Sequence, residues 1–177
     1  MVQRAKRIFV TALFSSIIFV VNFFVPPPIS NLLIVVQAVI LALSALFVGK
    51  GGATYVGLIG GILSALSRPA FGPLTFLFTF LYGTLVDTFF IVFKAYSSGA
   101  GANRNRVILA MTLSTTIIGF VSYYAIAVYP GIIQLTPPEL TLMMSGLVIF
   151  VAAGSGISAG YASVYLWNKY LKNINLS

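Results

Sequence analysis

Apolar residues run along this chain in long blocks rather than in alternation, and short clusters of Pro, Gly and charged residues separate the blocks. Hydropathy divides the chain into six segments: Ile8–Val25, Leu32–Val48, Ala53–Leu66, Leu74–Phe93, Val107–Val128 and Leu140–Trp167. The breaks are Pro26-Pro27-Pro28, Gly49-Lys50-Gly51-Gly52, Arg68-Pro69 with Gly72-Pro73, the polar stretch Lys94–Arg106, and Pro130 to Pro138. A backbone in lipid must satisfy its own polar groups, so each block reads as a helix. The pattern predicts an all-α, compact bundle of six transmembrane helices in a single domain, residues 1–177. The third block is the short one. Its fourteen residues rise about 21 Å against a hydrocarbon core of about 30 Å, and a re-entrant loop is the alternative.

The placement of charge bears on that alternative. With six spans and a cytoplasmic N-terminus, Arg4, Lys6, Arg7, Lys50, Lys94, Arg104, Arg106, Lys169 and Lys172 lie inside and only Arg68 lies outside. With five spans, Lys94, Arg104, Arg106, Lys169 and Lys172 move outside and the asymmetry vanishes. The tendency of Lys and Arg to stay in the cytoplasm therefore favours six spans of the cell membrane with both termini in the cytoplasm. Arg4, Lys6 and Arg7 before an apolar run also resemble a signal peptide. The run ends at three prolines without a small-x-small cleavage site, so an uncleaved first span is expected.

Composition agrees and narrows the function. Of 177 residues, 59% are hydrophobic and 7% charged, with a mean hydropathy of +1.05. A soluble domain of this size, which buries about 70% of the surface its unfolded chain exposes, has no means of hiding so much apolar area. There is no His and no Cys, and the only acids are Asp87 and Glu139. That set excludes a Ser-His-Asp triad, a cysteine nucleophile, a disulfide and a His-ligated haem, and two acids make no zinc site alone. No catalytic residue, metal or cofactor is expected. The net charge of +8 reads as inner loops and not as a nucleic-acid surface. Gly49-Lys50-Gly51-Gly52 lacks the spacing and the Ser or Thr of a phosphate loop, so the chain does not hydrolyse ATP.

Small residues recur every four positions in three segments: Gly57, Gly61 and Ala65, with Gly60 and Ser64 beside them; Ala152, Gly156 and Gly160; and Ala12 with Ser16. Such stripes let helices approach closely. The first two are expected to pack inside the bundle, while the stripe of the first segment faces either the bundle or another protein. Polar residues gather toward the outer side: Asn22, Gln37, Thr75, Thr79, Tyr82, Ser122, Tyr123 and Glu139. They are either mutual interhelical hydrogen bonds or an outward pocket for a small polar ligand, with Phe71, Phe76, Phe78, Tyr82 and Tyr123 available as ring-stacking walls. Asp87 is the one ionisable side chain well inside a span. Its simplest role is an ion pair with Lys50 or Lys94, with ligand contact or coupling as alternatives.

The stretch from Gly49 to Asp87, GKGGATYVGLIGGILSALSRPAFGPLTFLFTFLYGTLVD, resembles the Gly/Ala-rich third helix, Pro-containing loop and fourth helix of the S components of energy-coupling-factor vitamin transporters. It is nearest those for thiamine and its hydroxymethylpyrimidine precursor. The resemblance covers about a fifth of the chain. It implies a substrate-binding subunit for ATP-driven vitamin uptake, with a transmembrane coupling subunit and ATPase subunits as partners. It implies docking through the first-helix stripe, here Ala12 and Ser16, with Ser in place of the usual second Ala. It also implies a pocket drawn from Arg68, Phe71, Thr75, Thr79, Tyr82, Tyr123 and Glu139. Two other readings stand beside it: a structural transmembrane subunit of a larger assembly such as a respiratory complex, and a small proton-coupled carrier using Asp87.

Overall fold

The computed structural model describes residues 2–24, 34–67, 72–96, 101–128 and 147–171. They form six α-helices: α1 (Val2–Phe24), α2 (Ile34–Val48), α3 (Gly52–Ser67), α4 (Gly72–Val92), α5 (Arg104–Val128) and α6 (Leu147–Leu166), the last continued by a wider turn at Trp167–Leu171. No strand occurs among the described residues. Four helices, α1, α4, α5 and α6, are long and apolar enough to cross a membrane. The apolar helices α2 and α3 are shorter, at 15 and 16 residues. Of the segment expected from Leu140, residues 140–146 lie outside the described residues.

The short α2 is the centre of the bundle. It packs on all five other helices, and Ala38 and the run Ile40 to Leu46 are buried on every side. A helix that is apolar all round belongs in such a position. The remaining helices follow around it in the order α1, α3, α4, α5, α6, with α3 on α4 and α5 on α6 the most extensive contacts.

Consecutive helices alternate in direction. One end of the bundle gathers the start of α1, the α2–α3 turn, the end of α4, the start of α5 and the end of α6. That end holds Lys6, Arg7, Lys50, Lys94, Arg104, Arg106 and Lys169, every Lys and Arg whose side chain is described. This is the basic end.

The small-residue stripes account for the tightest contacts. A Cβ on Gly57 would stand 2.7 Å from the Thr79 carbonyl oxygen, and one on Gly83 would run into the Ala53 carbonyl. Across the bundle, a Cβ on Gly156 would stand 2.6 Å from the Thr112 Cα, and one on Gly160 2.8 Å from the Ile108 Cα. These stripes are thus used up within the chain, α3 on α4 and α6 on α5. Gly60 meets Ile18 of α1. The stripe of α1 behaves differently. Ser15 is buried and its hydroxyl donates to the Val56 carbonyl (3.3 Å), whereas Ala12 and Ser16 lie on the exposed face with Ile8, Phe9, Leu13 and Ile17.

The ends of the helices follow from local chemistry. α2 stops at Gly49, which takes a φ of +85°, and Gly51 takes +87°; both positions favour a residue without a Cβ. The Gly49 amide returns to the Ala45 carbonyl at 3.0 Å. α4 opens on Gly72-Pro73, with proline in the first turn, where its missing N–H costs nothing. α5 is capped by Asn103, whose Oδ1 accepts from the Arg106 amide at 3.4 Å.

Candidate functional site

At the end of the bundle away from the lysines and arginines, the C-terminal turns of α1 and α3, the start of α2, the first half of α4 and the second half of α5 leave a cavity of about 320 Å³. α1 and α3 contribute Asn22 and Ser64, α2 contributes Ile34 and Gln37, α4 contributes Thr75, Phe78, Thr79 and Tyr82, and α5 contributes Ile118 and Ser122. The α4 residues share one face because their spacing matches the helical repeat. The floor is closed. One or two turns further along the same helices stand Leu41, Val86, Phe90 and Met111, all fully buried in the core. The basic end is filled by aromatics, with Phe47 edge-on to Trp167 at 4.8 Å and Phe14 6.0 Å from Phe47. Among the described residues the cavity is therefore a pocket that opens toward one end, not a path through the bundle.

The hydrogen bonds of its walls decide what the pocket offers. Thr79 donates its hydroxyl proton to the Thr75 carbonyl (2.7 Å), and Ser122 donates to the Gly119 carbonyl (3.1 Å). Thr115 donates to the Met111 carbonyl (2.8 Å), so in its 2.7 Å bond with Tyr82 the tyrosine hydroxyl must be the donor. The hydroxyls of Thr79, Tyr82 and Ser122 thus have their protons spent within the bundle, and each oxygen keeps a lone pair. Asn22 donates from Nδ2 to the Ser64 hydroxyl at 3.2 Å. The Gln37 amide has no hydrogen-bond partner among the described residues, and it lines the cavity. An amide buried in lipid without a partner is costly. One at a pocket wall presents both a donor and an acceptor to whatever enters. No lining residue among those described carries a charge.

Of the residues assigned to the pocket from sequence, Thr75, Thr79 and Tyr82 come together around this cavity. Tyr123 is half-buried and does not line it, and Arg68, Phe71 and Glu139 lie outside the described residues. Among the aromatic walls, Phe78 and Tyr82 line the pocket. Phe76 instead stacks on Phe80 at 5.9 Å and borders a separate apolar cleft with Ile62 and Leu66. The sequence points to Ser64 only as a packing residue. Its size does pack, and its hydroxyl also belongs to the polar wall.

Asp87 corrects an expectation. It makes no ion pair with Lys50 or Lys94. Its Oδ2 accepts from both the amide and the hydroxyl of Thr54 at 2.7 Å, and its Oδ1 accepts from the Tyr96 hydroxyl at 3.3 Å. The carboxylate caps the first turn of α3 from the neighbouring helix, where free amides and the positive end of the helix dipole favour a negative group. Burial and the Asp87 carboxylate hold the Tyr96 hydroxyl above its ordinary pKa, so it stays protonated and able to donate. Tyr96 reaches Asp87 because the chain turns back at Lys94, which takes a φ of 50°. Asp87 does not line the pocket. No group of three or more metal-binding side chains occurs among the described residues. No protein-family model, curated protein or solved structure matches this chain.

Proposed function

We propose that this protein is a membrane-embedded substrate-binding subunit for ATP-driven uptake of a vitamin or vitamin precursor of the thiamine or hydroxymethylpyrimidine kind. The observation that carries this reading is the closed-floored pocket of amide, hydroxyl and aromatic groups at the end of the bundle opposite the cations. Its size suits a small ring. Free hydroxyl lone pairs on Thr79, Tyr82 and Ser122 suit a ligand that brings N–H donors, Phe78 and Tyr82 offer ring surface, and Gln37 offers a complementary pair. The absence of charge from the described lining favours a neutral pyrimidine over a cationic ligand.

In this reading all six helices cross the cell membrane, both termini face the cytoplasm, and the pocket opens outward. The 15 residues of α2 and 16 of α3 rise about 22–24 Å, and α2 is sheltered from lipid by the helices around it. The ligand is captured from outside. The subunit then topples in the membrane as ATPase partners hydrolyse ATP and act through a transmembrane coupling subunit. The exposed Ala12–Ser16 face of α1 is the proposed docking surface. The protein binds and does not catalyse: it has no His or Cys, and Asp87 is committed to the cap of α3.

Native mass spectrometry of the purified protein, with thiamine and hydroxymethylpyrimidine as added ligands, tests the proposal. A retained pyrimidine at one per chain is the expected result. No retained ligand, together with stable co-purification of redox subunits, would replace it with a structural subunit of a respiratory assembly.

A further inference from the structure

A second recess, also of about 320 Å³, lies at the basic end between the start of α5 and the end of α6. Arg104 and Lys169 line it together with Tyr161, Tyr165 and Asn168. We propose that this recess binds the phosphate of an anionic phospholipid headgroup, with Arg104 and Lys169 as its cations.

The two cations are held in position by aromatic side chains. The Arg104 guanidinium sits 4.6 Å above the Tyr161 ring. The Lys169 ammonium donates to the Tyr165 hydroxyl at 2.6 Å and lies 5.0 Å from the Tyr165 ring and 5.3 Å from that of Tyr170. Because Tyr165 accepts from Lys169, its own proton remains to be donated to an incoming oxygen. The backbone beside the recess is fixed as well. The Asn168 amide side chain accepts from the Ala102 N–H (3.0 Å) and donates to the Ala102 carbonyl (3.1 Å), clamping the approach to α5 onto the end of α6.

Among the described residues neither cation meets a carboxylate. Asp87, the one acid described, is engaged by Thr54 and Tyr96. A planar guanidinium and an ammonium beside a hydroxyl donor match the oxygens of a phosphate. Tyr161, Tyr165 and Tyr170 are about half-exposed, and tyrosine is a side chain enriched where proteins meet lipid headgroups. A basic recess between helices at the cytoplasmic surface is suited to an anionic headgroup.

The test is a lipid titration of the full chain followed by native mass spectrometry, with dioleoyl phosphatidylglycerol, dioleoyl phosphatidylcholine and inorganic phosphate as probes. Wild type should retain phosphatidylglycerol in clear preference to phosphatidylcholine. Removing both cations with R104Q/K169Q should weaken that retention roughly 100-fold, about ten-fold for each charge-assisted bond to the phosphate. K50Q/K94Q removes the same charge from the same end and should retain the lipid. Equal retention of the two lipids by wild type would overturn the proposal without recourse to any variant. Equal losses in the two double variants would also overturn it, since they would indicate a diffuse field and no site. Displacement of the lipid by an equal concentration of inorganic phosphate would overturn the lipid as the source of the phosphate.

Discussion

The Asp87 carboxylate and Thr54 are joined by two hydrogen bonds of 2.7 Å, one from the Thr54 amide and one from its hydroxyl, so that a side chain of α4 caps the N-terminus of α3. Removing one partner of a buried, charge-assisted bond costs about 1–3 kcal/mol. Asp87→Ala should therefore lower the thermal unfolding midpoint in detergent clearly. Asp87→Asn keeps one acceptor and should lower it less. Thr54→Val, which loses the hydroxyl bond but keeps the amide bond, should cost least. An unchanged midpoint for Asp87→Ala would remove the cap from the account of how α3 begins.

The stripes of small residues make a second prediction. A Cβ on Gly83 would collide with the Ala53 carbonyl, while one on Gly154 meets nothing within 4 Å. Overpacking a tight contact costs about 1–3 kcal/mol, so Gly83→Ala should destabilise. Gly154→Ala should be neutral or slightly stabilising, because alanine is the better helix former. Circular dichroism melts of the two variants, compared side by side, check this.

These contacts also indicate what the order of residues conveys and what it hides. The α3 and α6 stripes were legible because close approach needs small residues at one spacing, whichever helix is the partner. Thr75, Thr79 and Tyr82 were legible as one polar face for the same reason: the helical repeat alone brings them together. Asp87 was not legible. Nearness in charge suggested Lys50 or Lys94, while its partners are the Thr54 amide and hydroxyl and the Tyr96 hydroxyl, which come within reach only once α3 and α4 pack antiparallel and the chain turns back after α4. Ser64 was half-legible, because one small side chain serves both close packing and hydrogen bonding. The central place of α2 follows from its apolarity on every side, but its five neighbours follow only from the order in which the helices assemble around it.

The direction of α3 gives a third prediction. Lys50, in the turn before α3, and Ser67, its last residue, flank the two ends of this helix, and the chain contains no cysteine to interfere. If α3 crosses the membrane, Lys50→Cys should react with an impermeant maleimide only from the cytoplasmic side and Ser67→Cys only from outside. Reaction of both from the same side would make α3 re-entrant and reduce the count to five spans.

The last prediction separates a pocket from a set of interhelical bonds. Gln37 is the decisive residue, because its amide lines the cavity without a hydrogen-bond partner among the described residues. If it serves a ligand, Gln37→Leu should leave the unfolding midpoint unchanged or raise it, since an unpaired polar group is replaced by an apolar one. Ligand affinity should fall by one lost hydrogen bond, about 1–3 kcal/mol, or roughly one to two decades in Kd. Tyr82→Phe provides the contrast. It deletes a hydroxyl that donates to Thr115, so it should lower both stability and affinity. Glu139→Gln should leave affinity nearly unchanged if the ligand is a neutral pyrimidine and weaken it if the ligand is a cation. Isothermal titration of each variant with hydroxymethylpyrimidine and with thiamine, beside its melting curve, provides both readouts. A Gln37→Leu protein that melts early would mean that the amide holds helices together, and the pocket would lose its clearest recognition group.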